Sequence, residues 1–264
     1  MKPPTRITLA LFATAITTAI IAIAQNPPPP AGGLPPVFFS KYSGIKFVLI
    51  PAGNLTMGSD HGEPDELPVH EEFITKQFYL GVTVVTQEQW DKVMGLKMPD
   101  RSAHKEKGKP NLPVENVSIG KCRAFCEELS KAENRKCRLP TEAEWEYACR
   151  AGTTGEYSCG NSATELAEAG WFVENSGGSS HEVGVRKPNP WGLYDMHGNV
   201  WEHCDTYYFD RYDIKRNNSL RLVVRGGAYN SRADECRSAN RWAQSNTAQR
   251  KEIGFRVVIE APAQ

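Results

Sequence analysis

Asp195, Gly198, Val200 and Glu202 are the residues of this chain best suited to hold a metal ion. They lie within eight consecutive positions that combine two carboxylates with backbone carbonyls in a loop-like stretch. Ca²⁺ takes about six to eight hard oxygen ligands, and carboxylate and carbonyl oxygens are of that kind. The residue types also allow a structural alternative, in which Glu202 pairs with an arginine and Asp195 caps a turn. Both interpretations stay open at this level.

Thiols are the second group of candidates, because a thiolate can bind a soft metal ion. The chain has seven cysteines and no Cys-x-x-Cys pair, and Cys122 and Cys126 have no nearby pair of histidines. A structural zinc site is therefore not expected. After Arg225-Gly226-Gly227, the sequence continues through Ser231 to Cys236 with one cysteine only.

The elements that must position these residues indicate a loop-rich α+β domain. Helix caps are predicted at Thr86, Ser118 and Thr141. The two main helices are expected to follow Ser118 and Thr141. Short strands are predicted at four apolar runs: residues 47–53, 78–82, 221–224 and 255–259. Residues 150–220 are rich in Gly, Asn and Ser and show little periodicity, so we predict ordered loops there.

The N-terminal residues predict export. Residues 1–24 have a basic start and an apolar stretch that ends in Ala22-Ile23-Ala24, the small-x-small pattern of a signal-peptidase site. A membrane anchor is the alternative, because an apolar stretch of about 18 residues barely spans a bilayer. Residues 25–42 are predicted as a proline-rich spacer and residues 43–264 as one folded domain. The expected location is secreted or periplasmic, with membrane contact only if residues 1–24 stay uncleaved.

The charge balance and the missing motifs exclude several classes of function. With 31 Lys and Arg against 31 Asp and Glu, the formal net charge is zero. A nucleic-acid partner is therefore not expected. The sequence contains no Gly-x-Ser-x-Gly motif, phosphate loop or dinucleotide fingerprint. The expected partner is a protein or a peptide, as ligand or substrate.

Four motifs in a fixed order carry a resemblance to a known family. They are residues 138–150 (RLPTEAEWEYACR), residues 189–202 (NPWGLYDMHGNVWE), Arg225-Gly226-Gly227 and Gly254-Phe255-Arg256. Together they resemble the sulfatase-modifying-factor family, which includes the formylglycine-generating enzyme. The resemblance implies the family's variant of the C-type-lectin-like fold. It also implies Ca²⁺ bound by the side chains of Asp195 and Glu202 and the carbonyls of Gly198 and Val200.

The resemblance further implies a copper-binding thiol pair shortly after the Arg-Gly-Gly segment. Aligned without gaps, Ser231 falls at the first thiol position and Cys236 at the second. Aligned with a five-residue deletion, Cys236 falls at a structural cysteine that the family pairs with the position of Cys149. We prefer the second alignment because it explains Cys149 and keeps the spacing to Gly254-Phe255-Arg256. Under either alignment one thiolate is missing, and a hydroxyl cannot replace it on Cu(I), so copper is not expected.

Two functions follow from the resemblance. The first is an exported binding or accessory domain, or a divergent protein-modifying domain, on the family's scaffold. In that scaffold residues 229–252 form the recognition surface, and calcium stabilises the loops. The alternative is an oxidase that converts a peptide or protein cysteine to formylglycine, or that oxidises another peptide-derived product.

Overall fold

The computed structural model describes residues 36–95, 109–214 and 220–262. Its α-helices are α1 (Gln87–Met94), α2 (Ile119–Glu133), α3 (Glu142–Arg150) and α4 (Ala163–Ala169). Each begins after a Ser or Thr whose side chain accepts a hydrogen bond from the backbone N–H three residues later: Thr86, Ser118, Thr141 and Ser162. This bond satisfies one of the unpaired donors at a helix start, which is why these sequences begin helices there.

The strands are short and form three sheets. In chain order they are β1 (Val37–Phe39), β2 (Lys46–Ile50), β3 (Gly53–Met57), β4 (His70–Ile74), β5 (Phe78–Gly81), β6 (Cys137–Arg138), β7 (Trp201–Tyr207), β8 (Arg221–Arg225), β9 (Arg241–Ser245), β10 (Ile253–Gly254) and β11 (Val258–Glu260). An antiparallel five-stranded sheet has the order β1-β2-β5-β11-β6. A four-stranded sheet has the order β10-β7-β8-β9, and β3 pairs with β4.

Two large apolar clusters join the sheets to the helices. One contains Phe47 of the five-stranded sheet together with Trp90 of α1 and Phe125 of α2. The other surrounds Trp145 of α3, which is fully buried and packs with Val223 of the four-stranded sheet. Helix α3 therefore lies at the junction of the sheets, and it brings its polar face to the loops that carry the candidate site.

The structure differs from the sequence-based expectations at β1, α4 and β7. Strand β1 lies inside the predicted spacer and pairs with β2, so the folded domain begins by Val37 rather than at residue 43. Helix α4 and strand β7 lie in residues 150–220, where only loops were predicted. The predicted signal peptide, residues 1–24, lies outside the described residues. Within the described ranges, no helix has the length and apolar character needed to cross a bilayer.

Candidate functional site

Glu202 of β7 is bound in a buried ion pair. Its Oε1 accepts a hydrogen bond from Nη2 of Arg256 at 2.8 Å, and its Oε2 accepts one from Nε of the same guanidinium at 2.9 Å. The indole N–H of Trp145 also donates to Oε2, at 2.9 Å. The protein itself therefore neutralises the Glu202 carboxylate and satisfies both of its oxygens. This agrees with the alternative in which Glu202 pairs with an arginine.

Asp195 has one satisfied and one unsatisfied oxygen. It lies in the loop before β7 with a positive φ of 57°, and its Oδ2 accepts a hydrogen bond from the backbone N–H of Gly184 at 2.8 Å. Its Oδ1 is buried and has no hydrogen bond of normal geometry in the part of the chain that the structure describes, although the Asn199 side chain is close enough to favour the charged carboxylate. Burial raises the pKa of Asp195 to about 6, because desolvation disfavours the charged carboxylate. Oδ1 is thus an acceptor that a cation could use.

The backbone between these two carboxylates is held tightly. Gly198 has a φ of 84°, and its N–H donates to the carbonyl of Gly226 at 2.7 Å. A Cβ on Gly198 would lie 2.1 Å from the carbonyl oxygen of Trp171, so only glycine fits. Val200 is 1% exposed. The hydrogen bond to Gly226 thus fixes the loop against the Arg-Gly-Gly turn, and the close contact fixes it against Trp171.

These observations fit the predicted calcium site in part. Oδ1 of Asp195 is available. Glu202 could bind the ion only by giving up hydrogen bonds that it accepts from Arg256 and Trp145. No group of three or more His, Cys, Asp and Glu residues within the described ranges is arranged to hold a metal ion. Calcium at Asp195, Gly198, Val200 and Glu202 stays a prediction.

Ser231 and Cys236, the residues nearest the family's thiol positions, are both buried. Ser231 is 4% exposed, and its carbonyl accepts a hydrogen bond from Val173 at 2.9 Å. Cys236 is fully buried and packs with Tyr157 and Phe172. Burial raises the pKa of the Cys236 thiol well above its usual value. The thiolate is the metal-binding form, so a buried thiol with a raised pKa is poorly suited to hold copper.

His197 lies between Cys149 and Cys236, the two cysteines that were predicted to form a disulfide, and contacts both. Its Nδ1 donates to the carbonyl of Cys236 at 2.8 Å, and its Nε2 accepts from Oγ of Ser158 at 2.9 Å and lies 3.7 Å from Sγ of Cys149. All seven cysteines are free thiols in the structure, so the predicted Cys149–Cys236 disulfide is not formed in it. The pairing stays a prediction, which peptide mapping without reduction would test.

A buried charge network behind the Arg-Gly-Gly turn was not predicted. Arg225 donates to the carboxylate of Glu146 and to the carbonyls of residues 238–240. Arg241 binds both oxygens of Glu142, at 2.7 and 2.8 Å. The sequence indicated that Glu142 and Glu146 are neighbours on one face of a helix. It did not indicate which arginines they bind, because those lie about 80 to 100 positions later in the chain.

Residues 229–252 only partly match the predicted recognition surface. Residues 236–241 are buried, and Arg241 belongs to the charge network. Trp242 is half-buried, with its ring 5.6 Å from that of Trp201 between centroids, and the Arg250 guanidinium lies 5.0 Å from the Trp242 ring. Tyr229 is half-buried as well. The middle of the segment is therefore structural. Tyr229 and Trp242 stay partly exposed, with Arg250 over the Trp242 ring.

Comparison with known proteins identifies the family. Residues 38–261 match the family described as Sulfatase-modifying factor enzyme 1-like domain. The chain belongs to this family. Two solved structures share its fold over nearly their whole length. Treponema denticola variable protein 1 is 27% identical, with a TM-score of 0.75 over 86% of this chain and 100% of that one. PvdO from Pseudomonas aeruginosa is 26% identical, with a TM-score of 0.75 over 85% and 98%. The predicted family and the α+β fold of the C-type-lectin-like kind are confirmed.

Relatives within this family carry different names. The serine/threonine-protein kinase pkn1 of Chlamydia pneumoniae is 32% identical over an alignment that covers 80% of this chain and 37% of that protein. The formylglycine-generating enzyme of Streptomyces coelicolor is 31% identical over 197 residues, 65% of this chain and 61% of that protein. The chaperone protein LppX of Paenibacillus barcinonensis is 30% identical over 203 residues, 57% of this chain and 69% of that protein. The chain thus spans little more than a third of the kinase-named relative.

Proposed function

We propose that this chain is an exported binding or accessory domain on the sulfatase-modifying-factor scaffold, without the family's copper oxidase chemistry. The observation that carries the proposal is the state of the two thiol positions. In the gap-free alignment Ser231 stands at one thiol position, and in either alignment the nearest cysteine, Cys236, is buried in an apolar cluster. Cu(I) prefers soft thiolate ligands, and a serine hydroxyl is a hard group that stays protonated near neutral pH.

The aromatic surface at Tyr229, Trp242 and Arg250 would bind the partner. Aromatic side chains and arginine contribute much of the affinity at protein interfaces, because they bury a large area and lose little conformational freedom. The chain's neutral net charge favours a protein or peptide over a nucleic acid. A relative named as a chaperone supports an accessory role. Residues 1–24 support export.

Calcium would stabilise this domain by ordering the loop from Asp195 to Glu202. The support is the resemblance, together with the unsatisfied Oδ1 of Asp195. The remaining oxygens would come from the carbonyls of Gly198 and Val200 and from Glu202. An ion there would be a structural one, since it would lie in a buried loop.

The alternative is an oxidase that forms formylglycine or another oxidised peptide product. The similarity to the Streptomyces coelicolor enzyme supports it. Under the gap-free alignment, an oxidase formed by the present chain would have Cys236 as its one thiol at the site. A single buried thiol with a raised pKa makes this the weaker of the two proposals.

An activity assay separates these functions. The purified protein is loaded with Cu(I), mixed with a sulfatase-type cysteine peptide and followed by mass spectrometry, with the Streptomyces coelicolor enzyme as the positive control. We expect no formylglycine above background. Formylglycine that disappears in Cys236→Ser would establish the oxidase. Formylglycine that persists in that variant would also contradict the proposal and require a thiol-independent mechanism.

A capture experiment tests the binding surface. Protein cross-linked in its native export compartment should retain a partner that Trp242→Ala loses, because the exposed side of that ring is removed. Lys187→Gln is the matched control, since it changes an exposed ion pair with Glu168. Equal recovery from the wild type and Trp242→Ala would exclude this surface.

A further inference from the structure

Exposed apolar side chains are concentrated where the chain enters the fold. Three of the nine large apolar side chains that are exposed in the described ranges fall within residues 37–42: Val37, Phe39 and Tyr42, which are 38%, 63% and 46% exposed. Single apolar residues scattered over a surface are normal. A concentration of this kind in one short stretch indicates an interaction surface.

The pairing of β1 with β2 keeps Phe39 on the outside. Successive side chains of a strand point to opposite faces. Phe38 takes the inner face, where it packs against the first apolar cluster and its ring stacks on that of Phe47 at 5.0 Å between centroids. Val37 and Phe39 therefore share the outer face, on which Phe39 lies opposite Lys46 in the strand register. The ring of Phe39 cannot turn into the core, because Phe38 already occupies that side.

Two lysines without a counter-ion belong to the same hairpin. Lys46 has its Nζ 5.8 Å from the centroid of the Phe39 ring, and Lys41 is exposed in the turn between the two strands. Neither forms an ion pair within the described part of the chain. The sequence has no Asp or Glu before Asp60, although it has 31 of them in total. The charges of the hairpin itself are therefore all positive.

The elements packed against the hairpin do not cancel this charge. Glu133 of α2 accepts a hydrogen bond from Oγ of Ser40, and Arg135 lies over the inner aromatic ring of β1 at 4.9 Å, so these two neighbours offset each other. Lys92 of α1 reaches the turn of the hairpin, and it pairs with Glu88 at 3.1 Å. The two lysines of the hairpin thus remain as surplus positive charges.

Aromatic rings next to unpaired lysines fit the surface of a bilayer that contains anionic lipids. A ring is favourable at the boundary between headgroups and acyl chains, and each lysine is attracted by the negative surface potential. A stable protein interface buries about 800 Å² on each side, which three partly exposed side chains cannot supply by themselves. The combination therefore favours a lipid surface over a protein partner.

The sequence also places a membrane near this hairpin. The apolar stretch predicted as a signal peptide or an anchor ends at Ala24, and twelve residues separate it from β1. A segment of that length spans at most about 43 Å even when fully extended. While the apolar stretch lies in the bilayer, the hairpin is held close to the membrane surface, which raises its effective concentration there. This support rests on the export proposed above, whereas the exposed rings and the lysines do not.

We propose that the β1–β2 hairpin binds the surface of an anionic bilayer, with Phe39 and Tyr42 inserted among the headgroups and Lys41 and Lys46 beside the lipid phosphates. The contact does not use residues 229–252, so it is compatible with a partner bound there. It would keep the domain at the membrane of the export compartment after residues 1–24 are removed.

Vesicle binding by the chain from Gln25 onwards tests the proposal, because every described helix and strand lies within that part. The protein is titrated with vesicles of phosphatidylcholine, alone or mixed with phosphatidylglycerol, and the bound fraction is measured by sedimentation. We expect binding to the mixed vesicles at millimolar lipid, and at least about fivefold weaker partitioning to phosphatidylcholine alone. No binding to the mixed vesicles at that concentration, or equal binding to both kinds, would overturn the proposal.

A matched pair of variants locates the contact. Phe39→Ser should lower partitioning to the mixed vesicles at least about fivefold, because an apolar ring no longer enters the interface. Phe73→Ser is the control: Phe73 is even more exposed, at 68%, but it follows Glu71 and Glu72 in β4, and its loss should change nothing. Equal losses in the two variants would exclude the hairpin as the site of contact.

A double variant tests the charge separately. Lys41→Gln combined with Lys46→Gln should lower partitioning about tenfold and remove the preference for phosphatidylglycerol, whereas Lys187→Gln should leave both unchanged. Unchanged partitioning in the double variant would contradict the proposal. Trp242→Ala should bind vesicles fully, and a loss there instead would assign lipid binding to residues 229–252. Failure of partner capture with retained vesicle binding would refute the earlier function alone.

Discussion

Several buried carboxylates of this domain bind a buried arginine. Glu202 pairs with Arg256, and Glu146 pairs with Arg225, with all four side chains at most 1% exposed. A buried ion pair adds little net stability, because desolvation of the two charges offsets their attraction. Removing one partner is different, since it leaves the other charge buried without compensation.

The pair between Glu202 and Arg256 gives a direct prediction. Glu202→Gln should lower the free energy of unfolding by about 3–5 kcal/mol, because the Arg256 guanidinium loses its counter-charge inside the protein. Urea unfolding is the measurement. Glu88→Gln is the control, because its pair with Lys92 is about half exposed and is worth about 0.5 kcal/mol or less. Similar losses in the two variants would show that the Glu202 pair is not the buried contact described above.

At the scale of the elements, the turn beside β7 depends on close backbone packing. Gly198 and Gly192 have nearly the same φ, 84° and 79°, but their surroundings differ. A Cβ on Gly198 would meet the Trp171 carbonyl oxygen at 2.1 Å, whereas a Cβ on Gly192 would have nothing within 4 Å. Substitution at Gly192 therefore tests the strain of the backbone conformation alone, whereas substitution at Gly198 adds a steric overlap with Trp171.

Substitution of these glycines should give unequal effects. Gly192→Ala should cost about 1 kcal/mol, from the strain of a left-handed backbone alone. Gly198→Ala should cost about 1–3 kcal/mol more, because the loop has to move away from Trp171. The difference in free energy of unfolding measures the overlap. Equal losses would mean that the loop is free to shift and is not fixed as described.

The sequence predicted the local features of these elements but not their long-range partners. The caps at Thr86, Ser118 and Thr141 were predicted correctly, because a capping side chain and its helix are adjacent in the chain. Helix α4 was missed although Ser162 and Glu165 carry the same capping pattern, because the seven-residue helix shows too few apolar repeats. Arg225 could not be matched to Glu146, since no local pattern encodes a contact between residues so far apart in sequence.

At the scale of the whole molecule, calcium and the buried ion pair make different predictions for the same loop. If Ca²⁺ binds the folded state alone, it stabilises that state by mass action. EDTA should then lower the melting temperature of the wild type and have no effect on Glu202→Gln. Differential scanning calorimetry with and without added Ca²⁺ provides the measurement. A wild-type melting temperature that EDTA does not change would exclude the proposed site and leave the Glu202–Arg256 pair as the full account of this loop.

The central claim is that this member of the family has no copper-binding thiol pair. Competition for Cu(I) against a chromophoric chelator tests it most directly, in the wild type and in Ser231→Cys, which restores a thiol at the position where the gap-free alignment places one. We predict that neither protein retains Cu(I), because Cys236 is buried among Tyr157, Leu166 and Phe172. Retention by Ser231→Cys alone would mean that Cys236 can bind the ion and that the wild type lacks the thiol at position 231. Retention of one Cu(I) per chain by the wild type, lost when Cys236 is changed to Ser, would contradict the account.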